Sequence, residues 1–247
     1  MNLELWSPPE DIDPRALGEL EDALARRLAA VAQAHARAAL ASSLSAEDMV
    51  ITEAIVRLRL PISIFVIDTG RLHAETLELM RQVQAFYGIA LEVWRPRGEA
   101  VADFLVRHGR DAFYESRSLR IACCHLRKVE PLARALAGRE AWLSGQRRAQ
   151  DGGRAGLKLE EFDSRHGLAK YNPLADWPDA AVWAVAARRA IPLNSLHRCG
   201  YPSLGCAPCT RAVRAGEDPR AGRWWWESSA GKECGLHLHE TGAGVKR

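Results

Sequence analysis

Residues Ile62 to Ile67, just after Pro61, form a β-branched and aromatic run broken only by Ser63, with helical patterns on either side. Such a run suits a strand buried on both faces, and a strand of that kind needs helices covering both sides of its sheet. The surrounding sequence repeats the alternation. Apolar residues recur at helical spacing from Asp13 to about Ala38 (Leu17, Leu20, Leu24, Leu28, Val31), with Asp13 as cap and Pro14 in the first turn. Ala38 to Ser42 reads as a short buried strand. Ser45-Ala46-Glu47-Asp48 reads as a capping box opening a helix through about Arg59. A helix from about Ala74 to Tyr87 ends at Gly88, a residue suited to a helix C-terminus. Strands at Leu91–Trp94 and Ala141–Ser144 and helices at Val101–His108 and Ala180–Ala190 complete the pattern. The expected fold is α/β, a mainly parallel sheet flanked by helices.

Composition excludes several other classes. The chain has 247 residues, 47% hydrophobic and 26% charged, which rules out a disordered or collagen-like polymer. No apolar run approaches the roughly 20 residues of a membrane helix. The start, Met1-Asn2-Leu3-Glu4-Leu5-Trp6, has no basic region followed by an apolar stretch, so no secretion signal is expected. A net charge of +3 is too small to argue for nucleic acid. After about Gly145 the character changes, and beyond the helix at about Ala180–Ala190 the chain is rich in Gly, Pro, Cys, Arg and Trp. One domain over residues 1–247 is expected, with an α/β core over about 13–195 and a loop-rich tail over about 196–247.

The six cysteines inform through placement. Cys123 and Cys124 are neighbours, Cys206 and Cys209 form C-x-x-C, and Cys199 and Cys234 stand alone. A disulfide scaffold belongs to short secreted chains, so metal or thiol chemistry in a reducing cytoplasm is the starting hypothesis. Adjacent thiolates reach one tetrahedral ion only with strain, whereas a four-iron cubane offers each cysteine its own iron. The spacing therefore favours [4Fe–4S] over zinc, against the alternative of two buried apolar cysteines.

Two loops sit at strand ends, Ser42-Ser43-Leu44-Ser45-Ala46-Glu47-Asp48 and Asp68-Thr69-Gly70-Arg71, where open α/β sheets bind ligands. The first reads as an anion-binding loop or as an ordinary helix cap, the second as a ligand loop or a simple turn. Arg127, Lys128, Arg147, Arg148, Arg154, Arg211, Arg220 and Arg223 suit a small polyanion or form a solvated basic face. Trp224-Trp225-Trp226 reads as core or as a wall excluding water from a site. Cys234, in Lys232-Glu233-Cys234-Gly235-Leu236-His237, reads as an activated thiol or an inert exposed one.

Eight segments occur in family order: Ser42–Asp48, Asp68–His73, Cys123-Cys124-His125-Leu126-Arg127-Lys128, Gly145–Arg148, Lys170–Leu174, Gly205–Arg211, Arg223–Glu227 and Lys232–His237. Through them the chain, from about Leu40 to His237, closely resembles the assimilatory adenylyl-sulfate (APS) reductases of the wider APS/PAPS reductase family. The resemblance implies an adenine nucleotide α-hydrolase-like (Rossmann-like) sheet. It implies a [4Fe–4S] cluster on Cys123, Cys124, Cys206 and Cys209, the mark of the branch that takes APS rather than PAPS, its 3′-phosphorylated form. Cys234 would be the nucleophile, with His237 beside it and Lys128 between substrate and cluster. Arg154, Arg220 and Arg223 would contact the phosphosulfate, and Ser43, Ile67 and Gly145 the adenosine. The implied reaction converts APS to AMP and an enzyme S-sulfocysteine, from which thioredoxin or a glutaredoxin-like donor releases sulfite. A cytoplasmic location and, by analogy, homo-oligomers follow from the same likeness. The alternatives are a PAPS reductase and a non-catalytic, metal-stabilised nucleotide-binding protein. Cys199 matches no family motif.

Overall fold

The computed structural model describes residues 4–9 and 12–227. Its elements run α1 (Pro14–Ala34), β1 (Ala38–Ser42), α2 (Ala46–Arg57), β2 (Ser63–Ile67), α3 (Ala74–Tyr87), β3 (Glu92–Trp94) and α4 (Gly98–His108). Then follow α5 (Arg117–Cys124), a π-helical turn (His125–Val129), α6 (Glu130–Leu136), β4 (Ala141–Leu143), β5 (Glu160–Asp163), β6 (Leu168–Tyr171) and α7 (Asp179–Arg188). The six strands form one sheet in the order β3-β2-β1-β4-β6-β5. Every pairing is parallel except β5 with β6.

Period-two alternation accounts for the two-sided burial. Leu40, Ile64, Val66 and Leu143 face the larger core, packed by α1, α2, α3 and α7. Ala39, Phe65 and Trp142 face the smaller one, closed by Leu132, Ala135 and Leu136 of α6. Ile64, Phe65 and Val66 could therefore be apolar in succession, because neither face of β2 meets water at its centre. The αL residue Gly88, at φ 64°, ends α3 at the expected place.

Three local readings differ. The helix expected to reach about Ala38 stops at Ala34, because Ala38 is already paired with Ala141 in the sheet. Ser45 makes no side-chain cap on α2. Its hydroxyl instead donates to Asp48, whose carboxylate reaches back toward the preceding loop. The stretch 117–136, which carries Cys123, Cys124 and Lys128, is helical through a π turn. One wide turn there shifts the phase of its apolar residues, which hides the 3.6-residue period, and such turns recur at functional sites. Beyond residue 195 the described chain is mostly loop, with short 3₁₀ turns at Ser195–Cys199 and Ala207–Cys209.

Candidate active site

The chain runs outward from β1 to β3, then returns to β4 on the other side of β1. The ends of β1 and β4 therefore mark the point where connections diverge, the place such sheets bind ligands. A cavity of about 660 Å³ lies there, within the roughly 300–1,000 Å³ of small-molecule sites. Ser43 beyond β1, Ile67 at the end of β2 and Gly145 beyond β4 all line it. Lys128, Arg154, Arg220 and Arg223 line it too, so every described residue expected to hold the substrate meets in one space.

Asp48 organises the sheet-end side of this cavity. Its Oδ2 accepts from the Ser43 N–H (2.7 Å), the Ser43 hydroxyl (2.6 Å) and the Ser45 hydroxyl (3.2 Å). Its Oδ1 accepts from the Gly145 N–H at 3.0 Å. Thus the loop after β1 is held neither by a free array of N–H groups nor by a serine cap, but by one buried carboxylate tying β1 to β4. Burial pushes that carboxyl up to about 6, against the Ser43 donors that favour the charged form. Because the folded value is raised, Asp48 contributes stability that is complete below about pH 4 and lost as pH rises through about 6. Between pH 4 and 7 the wild type should lose roughly 2–3 kcal/mol more unfolding free energy than Asp48→Asn. Denaturant titrations at the two pH values test this, and parallel losses would refute it.

The basic residues divide into two groups. Arg147 is buried and neutralised by Glu47 (2.8 Å) and Asp179 (2.5 Å). Burial opposes the charge of Glu47, but Arg147 and Gln150 outweigh it and hold the carboxyl below its ordinary range. Arg148 donates to the Leu157 carbonyl (2.8 Å), and Arg211 pairs with Glu217 (3.0 Å). These three stabilise loops. Arg147 nevertheless lines the cavity, together with the second group: Lys128, Arg154, Arg220 (3.3 Å from Asp151) and Arg223. Arg223 is fixed by the Leu204 carbonyl (2.8 Å), and its buried Nε has no hydrogen-bond partner among the described residues. Gly205 permits this placement, since a Cβ there would lie 2.6 Å from the guanidinium.

Next to the large cavity is a smaller one, walled by Cys123, Cys124, Cys206 and Cys209 with Arg71, Arg120, Arg127 and Lys128. Lys128 lines both. The two cysteine pairs meet because Leu72, beyond β2, bridges to Cys206, and the Ala207 N–H donates to the Arg71 carbonyl at 2.8 Å. Thr69 Oγ1 lies 3.3 Å from Cys206 Sγ. Trp224 is buried against the thiols, its backbone N–H donating to the Cys209 carbonyl at 3.1 Å, while Trp225 is exposed. The triple tryptophan is thus part core and part surface. All four thiols are free of disulfides. Burial raises Cys209 to about 12 and raises Cys123 above its ordinary value, so unliganded they are protonated thiols.

By ligand type, four cysteines on one small cavity are a donor set that fits an iron–sulfur group. The buried Arg127 Nε and Trp224 Nε1 have no hydrogen-bond partner among the described residues. Such donors suit the acceptor sulfurs of an anionic cluster.

Comparison with known proteins agrees with this geometry. Residues 37–212 match the phosphoadenosine phosphosulfate reductase domain. The chain belongs to that family. An adenosine 5′-phosphosulfate reductase from Burkholderia cepacia is 56% identical over 211 residues, covering 85% of this chain and 84% of the relative. One from Neisseria meningitidis serogroup A is 48% identical over 236 residues, covering 94% and 97%. Among solved structures, a phosphoadenylyl-sulfate reductase from Candida auris in a phosphate complex superposes with a TM-score of 0.67 at 27% identity, over 81% of this chain and 98% of that one. An NMN synthetase from Francisella tularensis shares the fold at a TM-score of 0.53 and 12% identity, over 74% and 73%. The reductase fold expected from the sequence is therefore the fold observed.

Cys234 and His237 lie outside the described residues. Sequence reasoning missed Arg120, which is buried, paired with Glu227 and 4.5 Å from the Trp224 ring. It also missed the Glu47–Arg147–Asp179 network. Lone charged residues carry no signal of burial, because pairing across about a hundred positions leaves no local pattern.

Proposed function

We propose that this chain is a cytoplasmic enzyme of sulfate assimilation that reduces adenosine 5′-phosphosulfate to sulfite and AMP. The observation that carries the reading is Lys128, shared between a nucleotide-sized cavity rich in arginines and a four-thiol pocket. The chain is one domain, with a catalytic tail following the α/β core. Ser43, Ile67 and Gly145 hold the adenosine, and Arg154, Arg220, Arg223 and Lys128 hold the phosphosulfate.

Thiolate attack on an anionic sulfo group is opposed by Coulomb repulsion, so fixed cations must offset charge as it accumulates. The Cys234 thiolate attacks the sulfur, the S–O bond to the phosphate breaks, and AMP leaves with the bonding electron pair. His237 lies beside the nucleophile in sequence. The resulting S-sulfocysteine is then attacked by a dithiol protein of the thioredoxin or glutaredoxin class. That donor supplies two electrons, leaves as a disulfide, and frees sulfite and the Cys234 thiol. Cys123, Cys124, Cys206 and Cys209 would hold a [4Fe–4S] cluster, which when bound supplies a fixed charge beside Lys128 rather than the electrons. Self-association is proposed by analogy with the family.

Mass spectrometry after anaerobic exposure to APS without reductant tests the covalent step. One added sulfo group is expected on the peptide containing Cys234, and none on Cys234→Ser. A wild-type protein without the adduct refutes the reading. Much faster turnover of PAPS than APS would reassign the substrate.

A further inference from the structure

The large cavity has a wall that the family domain does not reach. The domain match covers residues 37–212, yet Trp6, Ser7, Pro8 and Pro9 line the same space as Ser43 and Gly145. They are held there by backbone pairing. The Trp6 N–H donates to the Val213 carbonyl at 3.2 Å, and the Ala215 N–H donates to the Glu4 carbonyl at 2.9 Å. Leu5 and Arg214 form an antiparallel bridge between these bonds. Close packing of Leu5 on Gly200 reinforces the anchor, since a Cβ on Gly200 would fall 3.1 Å from the Leu5 Cβ.

The half-buried Trp6 ring tilts against Trp183 of α7, with centroids 5.5 Å apart at 58°. Trp183 is itself braced edge-on by His197, 5.0 Å away. Trp6 and Trp183 line the large cavity and not the thiol pocket, whereas Lys128 lines both. The arginines and Lys128 suit the anionic half of a nucleotide and leave its uncharged base needing an aromatic face, which Trp6 and Trp183 offer in the same cavity. Tryptophan provides such a face at low entropic cost, and the following Pro8-Pro9 stiffens the chain that carries it.

We propose that Trp6, braced by Trp183, is a binding residue for the nucleoside half of the ligand, and that residues 6–9 form an apolar wall of the substrate site. This rests on the nucleotide reading above. The wall sets affinity rather than the chemical step, since neither Trp6 nor Pro8 belongs to the cationic group.

Calorimetric titration of the full chain with AMP and with inorganic pyrophosphate tests it, on wild type, Trp6→Ala and Trp6→Phe. Trp6→Ala should weaken AMP about tenfold, leave pyrophosphate within twofold, and lower kcat/KM for APS mainly through KM. Trp6→Phe should recover most of the AMP affinity. Equal AMP affinity in all three proteins overturns the wall while leaving the nucleotide site intact. A parallel loss of AMP and pyrophosphate in Trp6→Ala overturns it as well, because the strap would then act through the loop carrying Arg220. A wild type that binds no AMP overturns the nucleotide reading and the wall with it.

Discussion

Cys206→Ser should yield a protein that binds little iron and releases no measurable sulfite, whereas Cys234→Ser should keep full iron and lose sulfite release alone. The structure gives Cys206 two roles that serine fills unequally. Its backbone joins the loop to the end of β2 through the Leu72 bridge, and its carbonyl accepts from the Cys209 N–H at 2.9 Å within the loop's own turn. Serine preserves those bonds, so the loop should remain in place. Its hydroxyl is a hard oxygen donor with a much higher pKa than a thiol, and iron–sulfur groups select thiolates. The buried cations that surround the thiols, Arg120 and Arg127, would then face four-thiolate charge reduced by one. Iron analysis and the visible absorption of anaerobically purified protein give the first readout, and APS-dependent sulfite release the second. Full iron in Cys206→Ser would remove this cysteine from the ligand set.

Gly145→Ala should remove most nucleotide binding and lower stability. A Cβ at this position would lie 2.4 Å from Asp48 Oδ1, 2.8 Å from the Glu47 Cβ and 3.1 Å from the Asp48 nitrogen. These are buried atoms at the start of α2, two of them fixed to the main chain, so they have little freedom to withdraw. Overpacking of this kind costs about 1–3 kcal/mol. Functional loss should be larger, because moving Asp48 releases the bonds that shape the Ser43 loop. An AMP affinity reduced at least tenfold is expected, with an unfolding midpoint at lower denaturant. Gly156→Ala, where an added Cβ meets nothing within 4 Å, is the control and should change neither. An unchanged AMP affinity in Gly145→Ala would refute the close packing of β4 on α2.

Much of the framework was legible because it depends on local burial patterns. The run in β2, the helix ending at Gly88 and the loops after β1 and β2 each carry their own periodicity or turn chemistry. The thiol pairs were legible as pairs from their spacing, and the tertiary structure brings Cys123, Cys124, Cys206 and Cys209 to one small cavity. The β5–β6 hairpin went unseen because both strands are only four residues long, Glu160–Asp163 is mostly charged, and Lys170 interrupts the apolar residues of Leu168–Tyr171. The π turn went unseen because it breaks the period on which helix recognition depends. Arg147 and Lys128 look alike in the sequence, and only the tertiary structure pairs the first with Glu47 and Asp179 and sets the second on the wall of both cavities.

By itself the sequence determined that strands and helices alternate around a two-sided sheet, and that all six thiols fall at or beyond residue 123. Those properties follow from which faces must leave water and from which atoms bind metal or anions. Tertiary structure alone decided that β4 returns beside β1, opening the cavity between Ser43 and Gly145. It also decided that the Cys206 loop docks on the end of β2, and that residues 4–9 close against residues 213–215. Each of these is a contact between segments far apart in the chain. Periodicity tells a segment that it must be covered, whereas the order of strands in the sheet and the packing of loops over it select what does the covering.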